Sequence, residues 1–186
     1  MNKLLLTVVL ALVIVSTGWS QGTVNFANSV TFATTADRLV RNPDGTPATG
    51  SLTTDPPTLV VQLYYGANAG SLTPHTATPA RFRPGSTGLW LGSTRTLTGF
   101  APGTTLTLEV RAWDMRTGAT WDVAGIGGRS GTFTYTIPFD PLSPPAAYFM
   151  EGFRAFTFGI PEPSPILLLG VALPALWLVM RRRIAR

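Results

Sequence analysis

Apolar and polar residues alternate with a period of two through most of the middle of this chain. Val24, Phe26, Val30 and Phe32 alternate in a first segment, with Asn28 interrupting. Leu59, Val61, Leu63 and Tyr65 share one strand face, with Gln62 and Tyr64 on the other. Leu106, Leu108, Val110 and Ala112 line one face of a later run, and Thr105, Thr107, Glu109 and Arg111 line its opposite face. Phe133, Tyr135, Ile137 and Phe139 alternate with threonines, and Phe156, Phe158 and Ile160 face one way near the end. No stretch holds a 3.6-residue period, so the pattern predicts strands. One apolar and one polar face per strand predicts antiparallel sheets with a wet side.

Turn chemistry separates the runs. Asn42-Pro43-Asp44-Gly45, Asp55-Pro56-Pro57, Arg83-Pro84-Gly85, Ala101-Pro102-Gly103 and Gly125-Ile126-Gly127-Gly128 read as breaks. Arg116-Thr117-Gly118 is placed to close a hairpin between Val110–Trp113 and Thr120–Val123. Residues 38–55 and 138–145 read as loops, the second because its four prolines bar it from a central strand. Many short strands at this spacing predict an all-β domain, an antiparallel β-sandwich of jelly-roll or immunoglobulin-like type. Strand order is not readable from this pattern.

Both ends depart from it. Lys3 precedes a charge-free run from Leu4 to Val15, followed by small residues up to Ser20. That order describes a secretory signal peptide over 1–20, with cleavage between Ser20 and Gln21 by signal peptidase. The domain then spans 21–160. At the other end, Ile166 to Met180 is apolar, and Arg181, Arg182 and Arg183 follow. These 15 residues make a helix of about 22 Å, short against a hydrocarbon core of about 30 Å. Pro174 would kink it. The arginines place the basic tail on the cytoplasmic side and the domain outside.

Charge follows from this layout. The whole chain carries +5, but residues 21–160 hold nine arginines and eight acids and net only +1. The basic excess therefore sits at the ends and gives no nucleic-acid surface. The absence of Cys excludes disulfides, thiolate metal sites and Cys nucleophiles.

Candidate chemistry is sparse. His75 is the only histidine, reads as a solvated loop residue, and has no further His or Cys to complete a zinc site. No nucleophile elbow is present. Asp114 and Asp122 flank the expected hairpin and read as turn residues, with a calcium site or a glycosidase carboxylate pair as minor alternatives. No catalytic residue, metal or cofactor is assigned. The tryptophans offer more. Strict alternation puts Trp113 on the Glu109–Arg111 face, where an exposed ring would stack on a sugar with Trp90 or Trp121 nearby. A bulge would instead return it to the core.

Residues 161–186 carry a resemblance. Pro161-Glu162-Pro163, an apolar run over about 165–180 and the arginines of 181–186 resemble the PEP-CTERM protein-sorting segment. The resemblance covers only these last residues. It implies recognition of Pro161, Glu162 and Pro163 by an exosortase, a membrane transpeptidase-like protease of Gram-negative bacteria. It further implies inner-membrane anchoring through a C-terminal transmembrane helix, then transfer to the cell surface or exopolysaccharide matrix. The expectation is an exported, non-enzymatic structural or adhesive protein. A carbohydrate-binding module using Trp90, Trp113 or Trp121 on exopolysaccharide is the alternative, and a matrix polysaccharide hydrolase the second.

Overall fold

The computed structural model describes residues 21–29, 37–48, 58–84, 88–140 and 149–159. The Val30, Phe32 and Ile160 positions of the expected strands lie outside them, as do the expected signal and transmembrane helices. The described chain is β-rich. Its strands are β1 Gly22–Phe26, β2 Val40–Arg41, β3 Leu59–Gly66, β4 Thr73–Pro74, β5 Ala80–Arg81, β6 Ser93–Leu97, β7 Thr105–Asp114, β8 Gly127–Arg129, β9 Phe133–Thr136 and β10 Phe156–Thr157. A 3₁₀ turn, Trp121–Val123, lies between β7 and β8.

The ten-residue β7 organises the largest sheet. It pairs antiparallel with β3 along one side, from Leu59↔Asp114 to Gly66↔Thr107 without interruption. On its other side β8 and β9 lie end to end. β4 and β5 extend the sheet beyond β3. Two smaller pairs complete the architecture, β1 with β6 antiparallel and β2 with β10 parallel. Among the described residues the parallel pair is the one exception to the antiparallel expectation.

The alternating faces pack as the pattern requires. Val61, Leu63 and Tyr65 of β3 and Leu106, Leu108, Val110 and Ala112 of β7 lie in one hydrophobic cluster. The same cluster holds Val24 and Phe26 of β1, Leu97 of β6, Val40 of β2 and Phe156 of β10. One face of the large sheet therefore packs against both small pairs. With no cysteine to cross-link the chain, this shared burial supplies most of the stabilisation, at roughly 25 cal/mol per Å² of apolar surface. Trp90 is central to it. Its ring meets Phe26 at 5.2 Å and Phe153 at 5.5 Å between centroids, and its indole N–H donates to the Phe26 carbonyl at 2.9 Å.

Several expectations are corrected. The segment 115–126 is no tight hairpin: the return strand begins at Gly127, which pairs with Trp113, and Trp121–Val123 is a 3₁₀ turn. The Gly127-Gly128 pair is thus inside β8, where Gly128 is packed too closely on the Thr157–Phe158 backbone for any side chain. The polar loop from Arg38 contains β2, and both Val40 and Ala48 join the core. Phe139 leaves the core face and is 81% exposed, because Pro138 ends the ladder. The Asn42–Gly45 turn forms as expected, with Gly45 at φ +83° and its N–H donated to the Asn42 carbonyl.

Candidate functional site

β3 and β7 carry a second face, opposite the core, and it changes character along its length. On β7 it runs from exposed Thr105 through half-buried Thr107 to buried Glu109, half-buried Arg111 and buried Trp113. Register places Tyr64 beside Glu109, Gln62 beside Arg111 and Val60 beside Trp113. The 3₁₀ turn brings Trp121 against this group. Gly127 has no side chain because a Cβ there would lie 2.5 Å from the Trp121 ring.

Arg111 is the hub. Its guanidinium stacks on the Tyr64 ring at 3.9 Å and lies 5.7 Å from the Trp121 ring. Its Nε donates to Glu109 Oε1 at 2.5 Å, and Nη1 stands 4.0 Å from Asp122 Oδ1. Asp122 is largely exposed while Glu109 is not. Burial, more than any nearby charge, pushes the Tyr64 hydroxyl above its ordinary pKa of 10.0, so it remains a neutral phenol at physiological pH. The arrangement is a planar cation clamped by one aromatic ring and approached by a second, with one acid consumed beneath it and one acid at the rim. It can present a ring face and hydrogen-bonding groups to a ligand. Glu109 is tied to Arg111, so it is poorly placed to serve as a proton donor.

The other expected residues fall elsewhere. Trp90 and Trp113 are 1% and 3% exposed, and neither offers a stacking surface. No bulge precedes Trp113; it stays on the Glu109 face and is buried there, with its indole N–H unpartnered. Trp121 alone of the three is partly accessible. Asp114 and Asp122 do not act as a pair. Asp114 is buried and accepts from Arg116 N, Nε and Nη2, and the Arg116 guanidinium holds its carboxyl below the ordinary 3.8. Asp44 accepts from the Thr46 hydroxyl and N–H as a turn residue.

His75 is no solvated loop residue. It is buried, with Nδ1 accepting from Ala77 N–H and Nε2 3.0 Å from the Thr96 carbonyl. The Gln62 amide N–H₂ donates to the His75 and Ala77 carbonyls and pins the same stretch from below. Among the described residues no group of three or more His, Asp or Glu is placed to hold a metal ion. Gln21 is exposed and directly precedes β1. Ser20, Pro161, Glu162, Pro163, Arg181, Arg182 and Arg183 lie outside the described residues. No helix among the described residues is long and apolar enough to cross a membrane.

Two features escaped the sequence pattern. Arg38 and Asn28 are fully buried polar residues in the core layer. Asn28 accepts from Trp90 N–H and donates to the Arg38 and Gly88 carbonyls. Its interruption of the first alternation was the only trace it left.

No protein-family model, no curated protein and no solved structure matches this chain.

Proposed function

We propose that this is an exported, non-enzymatic envelope or matrix protein, sorted through residues 161–186. The observation that carries the reading is the order of Pro161-Glu162-Pro163, an apolar run and three arginines behind a β-rich domain. In this reading signal peptidase cuts at Ser20–Gln21, the apolar helix holds the precursor in the inner membrane, and an exosortase acts at the Pro-Glu-Pro motif. The domain is then a β-sandwich of jelly-roll or immunoglobulin-like type. The single core shared by the large sheet and the two small pairs supports this. So does the exposed Gln21 next to β1, which leaves a mature N-terminus free at the surface. Mass spectrometry of the protein from its producing cells is expected to find Gln21 as first residue and no Arg181–Arg186 peptide. That peptide intact on most mature molecules would sink the processing route.

A second reading is carbohydrate binding, favoured by Trp121 beside the stacked Arg111 and the exposed Asp122. It predicts that Trp121→Ala lowers retention on the producing cells' polysaccharide about tenfold, a loss of about 1.4 kcal/mol. Unchanged retention with a folded variant counts against it.

A further inference from the structure

The outer edge of β9 has no backbone partner among the described residues, and its groups are self-complementary. Ile137 donates its N–H to the Thr104 carbonyl at 3.0 Å and accepts from Gly103 N–H at 2.8 Å, so its peptide groups point at β7. Along an antiparallel strand this direction alternates residue by residue. Tyr135 and Phe133, opposite Leu106 and Leu108, therefore also turn their peptide groups to β7. Thr134 and Thr136 turn theirs outward. Among the described residues, β9 has no strand partner except β7, and no backbone bond to Thr134 or Thr136 comes from another segment. Both threonine side chains are exposed.

Such an edge is a template for another strand, and proteins blunt it with charge, proline, bulges or a covering segment. β9 reads Phe133-Thr134-Tyr135-Thr136. It is uncharged, free of proline and high in β-propensity. Residues 151–154 lie beside it, with Gly152 close to the Phe133 side chain, and leave a cleft of about 350 Å³ lined by Thr134, Tyr135, Thr136, Glu151, Gly152 and Arg154. Glu151 and Arg154 are exposed and of opposite sign.

We propose that β9 is a self-association edge, at which two copies of this chain join antiparallel about a two-fold axis at Tyr135. The outward residues then pair Thr134 with the partner's Thr136 and Thr136 with the partner's Thr134. Each pair exchanges two N–H···O bonds, and the threonine side chains meet as cross-strand pairs. Each copy brings one acid and one base to the seam, a charge set that is its own complement. The Thr136 hydroxyl keeps its 2.8 Å bond to the Thr105 hydroxyl, so the seam rests on the backbone bonds. The result continues the large sheet across two molecules, which goes beyond the sorting route and does not depend on it.

Sedimentation velocity of the full chain in detergent, at about 100 μM, tests this. Thr134→Pro deletes an outward N–H that the β7 ladder does not use, a position where an edge strand tolerates proline. Thr136→Lys puts a charge on the seam. The wild type is expected to sediment as a dimer. Each variant is expected to weaken association about tenfold or more, with an unchanged far-UV CD spectrum. If Thr134→Pro unfolds the chain, Thr136→Lys carries the test alone. A monomeric wild type overturns the proposal. So does a dimer that survives the substitutions, since association through Ile166–Met180 would be indifferent to both.

Discussion

Arg38 shows how far a single residue can depart from its type. It is 1% exposed, yet its guanidinium meets no carboxylate in any ion pair among the described residues. Nη2 instead donates to the carbonyls of Phe149 at 2.5 Å, Met150 at 3.0 Å and Ala27 at 3.4 Å, and the plane lies 5.6 Å from the Phe153 ring. Burial, followed by the charge of Arg154, pushes its pKa below that of a free guanidinium. The Phe149 and Met150 carbonyls come from a turn in which Met150 adopts φ +57°, a left-handed conformation that presents them together. Arg38 thus ties residues 149–153 to the segment after β1. Replacing it by leucine would remove its donor from these carbonyls, although Met150 keeps the Phe153 N–H, at a cost of about 2–5 kcal/mol. Urea unfolding of Arg38→Leu should show this loss, and a midpoint within error of wild type would disprove the tie. Nothing in the sequence marks Arg38, because two of its three partners are backbone carbonyls more than a hundred residues away.

At the scale of the element, strands were legible and their endings less so. The alternations of β3 and β7 state which side faces the core, since a one-residue slip would turn every apolar residue outward. Trp113 shows where alternation stops informing. The pattern assigns the correct face, but whether that face is wet depends on what lies over it. The pattern instead makes 115–126 a hairpin with Thr120–Val123 as its return strand, because Trp121-Asp122-Val123 has neither the length nor the period to announce a 3₁₀ element. β2 and β10 are two residues each, too short for any period. Gly22 is a further case. A Cβ there would meet the Ile137 side chain at 2.5 Å from Cγ2, a contact between residues remote in sequence that no local pattern contains.

The whole molecule responds to pH through His75. Burial is the main cause that lowers its pKa from 6.5, with Arg95 adding repulsion and the Thr96 bond opposing them. Ala77 N–H occupies Nδ1, so the buried ring is the neutral tautomer with Nε2–H toward Thr96. Tyr65 stacks near it at 5.8 Å. The unfolded chain takes up a proton near the ordinary value, while the folded chain resists it. The contribution is fully present above pH 6.5 and is lost as pH falls from there through the lower folded value. Asp37 and Asp114, both held below 3.8, add a separate loss only in the acid range. Urea midpoints should therefore drop between about pH 7.5 and about pH 5 in the wild type, and not in His75→Gln. Equal wild-type midpoints at the two values would contradict this.

The sequence by itself determined the β-rich class, the core faces of the long strands and the turns at Asn42–Gly45 and Ala101–Gly103. These follow from local rules, a two-residue period and the few residues that suit a turn. Tertiary structure decided which tryptophan stays accessible, where Arg111 stacks, what His75 does and which strand edge lacks a partner among the described residues. Each of these depends on segments distant in sequence that approach one another only in the folded chain. Burial and hydrogen-bond partnership are properties of that approach, and a single strand of letters does not contain them.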